Sequence, residues 1–308
     1  MILFNINKIL TAKIINRPSK ICNTPYVADI VLEKDILKYN EFIKNNNDYI
    51  NSIIYQAHCP SLGCCGLCEK DSYVYVSKIE NNNNNNKICN YKVYLSIHSE
   101  IKNNINYNTN IGIEPKMAEK IVENGLNNNC FKNLSNVKKY KREVPLLNSR
   151  FDFVGIDEND NKFILEVKSV PLADYEDISK KDRKNKDYST FDYYSKIAYF
   201  PDGYRKNNKC VVSERALKHI NELELISKST KIRSIICYVI QRDDVESFQI
   251  SLLDPIYKKA VQNALTNGVE IFNIVLSWKL DENNNANAYF KTSEININDK
   301  KDIIMINN

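Results

Sequence analysis

The sequence has no apolar run of the roughly 18 residues that would signal a membrane-spanning helix, and we therefore expect no membrane contact. Its first residues also lack the basic, apolar and small segments of a signal peptide. Without secretion, and with an odd total of nine cysteines, a disulfide framework is not expected. We expect an intracellular protein of the cytoplasm, nucleus or an organelle. A transit peptide stays open, because no acidic residue precedes Asp29.

A strong excess of one charge is absent too, since the formal net charge is only +5. This balance permits a polyanionic partner without requiring one, and the lack of a long basic arm argues against very tight non-specific binding to nucleic acid. Hydrophobic residues make up 43% of the 308 positions, which is enough to form the hydrophobic core of one large domain or of two smaller ones.

The N-terminal part of the chain predicts a small all-β domain. Short β-type runs separated by turns indicate a barrel over about residues 10–105, and the asparagine run at 81–86 reads as a low-complexity insert in a loop. The β-type runs are 25–32, 52–56, 73–79 and 88–97.

The following segment, 106–280, mixes helix and strand patterns in the order α-β-β-β-α-β-α-β. Such an order predicts a central mixed sheet flanked by helices, followed by a tail over 281–308. Within this domain, the charged stretch 174–195 predicts a solvated surface insertion. The helices are 114–124, closed by Gly125, 213–226, capped by Ser213, and one from Asp254-Pro255 to Gly268; the strands are 141–147, 150–156, 162–170, 232–241 and 269–278.

One aspartate, one glutamate and one lysine fall on two of these strands. The turn residues at 157–161 predict a hairpin that can place Asp152 beside Glu166, and Glu166 and Lys168 share a face because they lie two apart on a strand. The pattern D-x13-E-x-K is that of metal-dependent phosphodiesterases. Two carboxylates hold a divalent cation there, and the lysine orients or activates water. The alternative is a solvated strand face with no catalytic role.

A cysteine cluster, His58, Cys59, Cys64, Cys65 and Cys68, admits two interpretations. The C-x-x-C step could form part of a zinc site. No second C-x-x-C follows at finger spacing, so thiols in a packed loop are the alternative, and we expect no stoichiometric zinc.

Many short segments together resemble the bacterial sugar fermentation stimulation protein A family, over roughly residues 10 to 278. The segments that carry this resemblance are Ala57-His58-Cys59-Pro60, Asn108-Thr109, Asn148-Ser149-Arg150-Phe151-Asp152-Phe153, Leu165-Glu166-Val167-Lys168-Ser169-Val170, Phe200-Pro201-Asp202, Val212-Ser213-Glu214-Arg215, Lys218-His219, Val239-Ile240-Gln241-Arg242-Asp243-Asp244-Val245, Asp254-Pro255-x-Tyr257 and Gly268-Val269-Glu270.

The resemblance implies an α+β protein in which an N-terminal OB-fold barrel precedes a restriction-endonuclease-like domain with the PD-(D/E)-x-K signature. It also implies DNA as a partner. The family usually continues Asn-Thr-Gly-Ser-Met after Ala57-His58-Cys59-Pro60, so the cysteine cluster departs from its pattern. The family's segment after Phe200-Pro201-Asp202 is split here by residues 203–210.

Two functional hypotheses follow. In the first, the protein is a Mg²⁺- or Mn²⁺-dependent nuclease, with Asp152 and Glu166 as ligands, Lys168 positioning water, and Glu119 adding a ligand from the first helix. In the second, it is a non-catalytic DNA-binding protein that uses the nuclease fold as a scaffold.

For nucleic-acid contacts the candidates are Arg150, Arg215 and Lys218, and a homodimer is compatible with either hypothesis. The alternatives are a solvated helix face for Glu119 and a surface ion pair with Glu214 or Glu222 for Arg215.

Overall fold

The computed structural model describes residues 1–45, 48–59, 66–80, 89–134, 136–201 and 210–298. Over these ranges the protein is of the α+β class, as predicted. An N-terminal sheet closes into a ring, and a mixed central sheet follows it. None of the helices in these ranges is long and apolar enough to cross a membrane.

The described residues contain these elements. The strands are β1 (Ile2–Ile6), β2 (Ile9–Asn16), β3 (Val27–Leu32), β4 (Tyr55–His58), β5 (Tyr73–Lys78), β6 (Tyr91–Lys102), β7 (Ile105–Gly112), β8 (Val137–Leu146), β9 (Ser149–Asp157), β10 (Lys162–Val170), β11 (Ala173–Asp174), β12 (Lys196–Phe200), β13 (Arg233–Ile240), β14 (Val245–Ile250), β15 (Glu270–Leu280), β16 (Ala286–Thr292) and β17 (Asn296–Ile297). The helices are α1 (Ile36–Lys44), α2 (Pro115–Asn127), α3 (Lys180–Arg183), α4 (Glu214–Ser229) and α5 (Pro255–Thr266), with short 3-10 helices at Glu33–Asp35 and Asp48–Ile53.

The ring follows the order β4-β3-β2-β5-β6-β7 and closes through a parallel pairing of β4 with β6. Alternation of side chains along β5 illustrates why it forms, because Val74 and Val76 are buried inside while Tyr73 is exposed. The asparagine run at 81–86 lies outside the described residues.

The central sheet has the order β1-β16-β15-β13-β10-β9-β8, with β10, β13 and β15 parallel to one another. Its middle strands read as nearly continuous apolar runs because both faces are covered. Helix α2 packs on one face, where Phe163 and Leu165 lie, and helices α4 and α5 pack on the other, which carries Ile164. A smaller sheet, β11-β12-β14-β17, lies beside it.

The three predicted long helices are present, and each begins at a side-chain cap. Glu114, Ser213 and Asp254 accept hydrogen bonds from backbone N–H groups in the first turns of α2, α4 and α5. The prediction that Gly125 ends the first helix was wrong. Gly125 lies inside α2, where an added Cβ would be 3.1 Å from Ile274 Cδ1, so the helix needs glycine for close packing rather than for termination.

The charged stretch 174–195 is mostly exposed, but it is anchored to the rest of the molecule. Asp177 is buried and accepts hydrogen bonds from Gln249, Ser251 and the backbone of Leu252, at 2.9, 3.0 and 2.6 Å. Lys102 of the ring donates to two carbonyl oxygens of the stretch. The stretch therefore joins the ring to the second half of the chain.

The chain near residue 290 is not a tail in this structure. Strand β16 pairs with β15 on one side and with β1 on the other, although the sequence analysis placed 281–308 outside the sheet. Strand β1 precedes the ring in sequence, yet it forms the edge of the central sheet. Pairing between such distant segments leaves no local signal in the sequence.

Candidate metal centre

The predicted hairpin between β9 and β10 is present, and its backbone pairing stops just before Asp152 and Glu166. The two strands pair from Lys162–Ile156 to Leu165–Phe153. Beyond that pair the backbone N–H of Val167 donates to Asp152 Oδ2 at 2.7 Å. A carboxylate thus takes the place of a backbone acceptor, and Asp152 lies in the gap between the strands, close to Glu166.

Glu166 and Lys168 share a face of β10, as the spacing predicted, and a histidine from α4 meets them there. Lys168 Nζ donates to Glu166 Oε1 at 2.5 Å, and His219 Nδ1 contacts the same oxygen. The second oxygen, Glu166 Oε2, is buried without a hydrogen-bond partner. Since a buried carboxylate oxygen without a partner is costly, this atom is a candidate ligand for a cation.

The two carboxyl groups titrate in opposite directions. Burial, reinforced by the charge of Glu166, raises the pKa of Asp152 to about 7. Burial acts in the same direction on Glu166, but the charge of Lys168 and the contact with His219 outweigh it, so the pKa of Glu166 lies below its ordinary value. In the metal-free protein, Glu166 is therefore the charged member of the pair.

A second acidic group adjoins Asp152. One carboxylate oxygen from each of Glu119, Glu143 and Asp152 lies within 4.8 Å of the other two, so these three residues could hold a metal ion. Glu119 comes from α2, as the resemblance implied. Glu143 was not anticipated. It lies on β8, where charged, exposed side chains alternate with less exposed ones, as on a strand with one face in solvent. Its φ of 54° is left-handed, an uncommon and costly conformation for a non-glycine residue.

The predicted ligand set and this cluster overlap without being identical. Asp152 and Glu119 belong to both, Glu143 is new, and Glu166 lies outside the cluster. Arg142 and Arg150 balance the cluster, because Arg142 pairs with Glu119 at 3.0 Å and Arg150 pairs with Glu143. The ligand role of each residue stays a prediction.

These groups open into a cavity of about 410 Å³. Asp152, Glu166 and Lys168 line it together with Glu119 from α2 and Arg215 from α4. Hard oxygen ligands of this kind suit Mg²⁺, Mn²⁺ or Ca²⁺. With a buried carboxylate oxygen lacking a partner and an acidic cluster beside it, the residues present fit a divalent cation.

The three predicted nucleic-acid residues lie close together next to this cavity. Arg150, Arg215 and Lys218 line one open groove, the basic groove, along with Glu214 and His219. The ion pair considered for Arg215 is not found, because Arg215 is exposed and makes none within the described part of the chain. Lys218 instead donates to the carbonyl oxygen of Asn148 and lies 4.0 Å from Glu222.

The zinc hypothesis is not decided by the structure. Cys59 and Cys68 are buried, whereas Cys64 and Cys65 lie outside the described residues. Asp202, quoted for the resemblance, also lies outside them. Our expectation of no stoichiometric zinc therefore stays a prediction.

Sequence reasoning missed His219, although a signal was present. Ala216, Ile220 and Leu223 mark the buried stripe of α4, and His219 lies within that stripe. A polar residue in such a position needs a buried partner, and here Glu166 provides it. A search for polar residues inside apolar helical stripes would have identified it.

Comparisons with known proteins agree with this architecture. The model described as the sugar fermentation stimulation protein RE domain matches residues 116–180 and 184–282, more than half of the chain. A sugar fermentation stimulation protein homolog of Pelagibacter ubique is 31% identical over 225 residues, covering 72% of this chain and 78% of the relative. The homolog of Clostridium novyi is 28% identical over 269 residues, covering 87% and 90%.

Among solved structures, Pyrococcus furiosus SfsA, described as a complex with Ca²⁺, is similar with a TM-score of 0.66 and 16% identity. The similarity covers 96% of this chain and 99% of that one, and at this identity it shows the fold alone. Family model, relatives and fold agree, and the chain therefore belongs to the sugar fermentation stimulation protein A family.

Proposed function

We propose that the protein is a metal-dependent nuclease that hydrolyses phosphodiester bonds in DNA. The observation that carries the proposal is Glu166, which lines a cavity together with Asp152 and Lys168 and has a buried carboxylate oxygen, Oε2, without a hydrogen-bond partner. A fold alone would not support an activity, but this arrangement of groups has the chemistry that phosphodiester hydrolysis needs. The Ca²⁺ in the described complex of the Pyrococcus furiosus protein supports a cation in this family.

The ligand candidates are Asp152, Glu119 and Glu143, with Glu166 completing the set through Oε2. When bound, a divalent cation supplies Lewis-acid stabilisation of the phosphoryl oxygens and lowers the pKa of a bound water. Lys168 lies beside these groups, and its ammonium group donates a hydrogen bond to Glu166 Oε1. From this position it can also donate to a water or to a phosphate oxygen. His219 contacts the same oxygen, Oε1, so it orients this carboxylate and leaves Oε2 available to a cation.

The basic groove supplies the contacts to the phosphate backbone. Arg215 lines both the groove and the metal cavity, so it lies where a strand would pass from one to the other. Its guanidinium has no ion pair to break among the described residues, and planar guanidinium groups recognise phosphate through two parallel hydrogen bonds. Arg150 and Lys218 line the groove as well, with Arg150 paired to Glu143 and Lys218 4.0 Å from Glu222.

We further propose that the ring is an OB-fold barrel that contributes to DNA binding. The closed order β2-β3-β4-β6-β5 of five strands, with β4 and β6 parallel, supports this assignment. OB-folds bind nucleic acid through strands and loops on one side of the barrel. The loop between β2 and β3 offers the exposed side chains of Lys20 and Tyr26 for such contacts.

The test is cleavage of single-stranded, double-stranded and branched DNA by purified protein in Mg²⁺ or Mn²⁺. Because metal charge stabilisation is worth several kcal/mol and each ~1.4 kcal/mol is about tenfold in rate, Asp152→Ala and Glu166→Ala should each lose a hundredfold or more. Lys168→Ala should lose cleavage but keep metal binding. All three variants should retain DNA affinity, because the basic groove is intact.

Glu123→Ala is the matched control for Glu119→Ala. Both glutamates lie on α2 and pair with Arg142, but Glu123 is not part of the acidic cluster. We expect Glu119→Ala to lose activity and Glu123→Ala to keep it. Unchanged cleavage in Asp152→Ala would point to a contaminant or another site. A wild type that binds DNA yet never cleaves it, with any metal or substrate, would favour the non-catalytic DNA-binding alternative.

A further inference from the structure

The edge of β10 that faces β9 loses its strand partner where it borders the metal cavity. The carbonyl oxygen of Val170 accepts from the backbone N–H of Gln241, so the backbone groups of residue 170 point toward β13. Since alternate residues of a strand direct their backbone groups to opposite sides, those of Val167 and Ser169 point toward β9. The N–H of Val167 donates to Asp152 there, but β9 pairs only as far as residue 165, and the N–H of Ser169 has no strand partner in the described ranges. Ser169 lines the cavity and thus offers it one backbone donor.

The side chain of Ser169 offers a second donor, because the group that it contacts can only donate. Trp278 Nε1 donates to Gln241 Oε1 at 3.2 Å, and an indole N–H has no acceptor capacity. The other end of the amide, Gln241 Nε2, therefore donates to Ser169 Oγ at 3.3 Å. The oxygen of Ser169 accepts this bond, and its hydroxyl hydrogen has no acceptor among the residues that the structure describes.

Close packing of the ring holds this amide in place. Gln241 is fully buried, and its backbone carbonyl oxygen accepts from the N–H of Gly112, at the end of β7, at 3.0 Å. A Cβ at Gly112 would clash with Gln241 Oε1 and lie 2.9 Å from Trp278 Nε1, so only glycine lets β7 approach this closely. The amide is fixed between the ring and Trp278, and the Ser169 hydroxyl is therefore oriented before a ligand binds.

The surroundings of Ser169 suit a ligand that carries several oxygen acceptors. Lys168 and Arg215 line the same cavity, and so do the carboxyl groups of Asp152 and Glu166. The N–H of Ser169 lies two residues along β10 from the N–H that holds Asp152, about 7 Å at ~3.3 Å per residue. A phosphodiester has two negatively charged non-bridging oxygens, so it can accept hydrogen bonds at Ser169 while it stays beside the carboxyl groups.

We propose that Ser169 is a phosphate-binding residue, whose backbone N–H and hydroxyl donate to a non-bridging oxygen of the nucleic-acid phosphodiester at the metal centre. The inference rests on the proposed function and adds to it the group that holds the reacting phosphate. Donors that are oriented before binding stabilise a developing negative charge without reorganisation. Because phosphate contacts carry no sequence information, this contact serves any base sequence.

The test is a double-mutant cycle between Ser169 and one oxygen of the ligand. The ligands are a thymidine dinucleotide with one phosphodiester and the two stereoisomers of its methylphosphonate, in each of which a methyl group replaces a different non-bridging oxygen. Calorimetry in Ca²⁺ gives their affinities for the wild type and for Ser169→Ala, with Ser169→Cys, a weaker donor, if the alanine variant fails to fold. Ser234→Ala is the matched control, because Ser234 is a buried serine of β13 that does not line the cavity.

Ser169→Ala should bind the phosphodiester about tenfold more weakly, the effect of one hydrogen bond to a charged acceptor. It should bind one methylphosphonate isomer several-fold more weakly, and the isomer that lacks the accepting oxygen as tightly as the wild type does. Ser169→Thr, which keeps the hydroxyl, and Ser234→Ala should resemble the wild type with all three ligands. Equal losses for all three ligands in Ser169→Ala, no loss for any, or a wild type that does not bind the phosphodiester would overturn the proposal. Absence of cleavage in Mg²⁺ or Mn²⁺, with this pattern of affinities intact, would overturn the proposed hydrolysis alone.

Discussion

Replacing Asp152 with asparagine should make the metal-free protein more stable at about pH 8, although the replaced residue is a candidate ligand. Asp152 is 7% exposed and lies beside the charged carboxylate of Glu166. An asparagine has the same shape, and its amide oxygen can still accept the hydrogen bond from the backbone N–H of Val167. The substitution removes the buried charge without leaving that N–H unpaired.

The size of the effect follows from the pKa of Asp152, which rises from 3.8 in the unfolded chain to about 7 in the fold. Below the lower value both states are protonated, so the carboxyl group has no effect on stability. Between the two values the unfolded state holds fewer protons, and the free energy of unfolding falls as the pH rises. Above about 7 the loss is complete and amounts to about 4 kcal/mol, at ~1.4 kcal/mol for each pKa unit.

The assay is urea unfolding in EDTA, followed through the fluorescence of Trp278. This residue is the single tryptophan and is 3% exposed. Asp152→Asn should raise the free energy of unfolding by about 2–4 kcal/mol at about pH 8, and the gain should vanish near pH 4. Added Mg²⁺ or Mn²⁺ should stabilise the wild type more than the variant, because ligand binding to the native state stabilises it.

Asp157→Asn is the matched control on the same strand. Asp157 is also buried, but its Oδ1 accepts hydrogen bonds from the backbone N–H groups of Asn159 and Asn161, at 3.0 and 2.8 Å. Although burial acts in the opposite direction, these donors lower its pKa, so this charge is stabilised in the fold. Asp157→Asn should therefore reduce stability. If Asp152→Asn reduced it as well at about pH 8, our account of the buried charge would be refuted.

Three further predictions test the surroundings of the site. His219→Ala should slow metal-dependent cleavage by about 10- to 100-fold at unchanged DNA affinity, because Glu166 loses the partner that orients it, and His219→Gln should restore part of the rate; full activity in the alanine variant would contradict this role. Gly155→Ala should lower the free energy of unfolding by about 1–3 kcal/mol in urea, since the new Cβ would lie 2.5 Å from Phe163 Cζ; wild-type stability would show that the strands can relax. Arg215→Ala should reduce the salt slope of duplex binding by about 0.9 without changing stability, and an unchanged slope would exclude a phosphate contact.

Local patterns were sufficient to predict the hairpin and its neighbours. Strand β10 has the bounds predicted for it, since apolar residues run through it and turn residues precede it. The approach of Asp152 to Glu166 followed from pairing two adjacent segments across a short turn. Ser213 and Asp254 were recognisable as helix caps because their side chains act on N–H groups only three residues away.

The site residue and the strand that the sequence analysis missed depend on contacts between distant segments. Glu143 reaches Asp152 only because its backbone adopts a left-handed conformation within a strand, which no local pattern indicates. Strand β16 is polar at several positions, and its place in the sheet depends on pairing with β1, 280 or more residues earlier in the chain. The opening between β9 and β10 at Asp152 is likewise a result of packing rather than of turn chemistry.

The edge position of β1 affects how the protein can be divided for experiments. If residues 106–298 were produced without the N-terminal segment, β16 would lose its partner and become an unpaired edge of a large sheet. Exposed strand edges pair with other chains, so this fragment should self-associate. The isolated ring over residues 9–112 would keep its closure, which involves only its own strands, and would leave β7 as an edge that pairs with β6 alone. Fusing residues 1–6 through a flexible linker to the end of β16 should restore the edge and give a monomeric nuclease-like half.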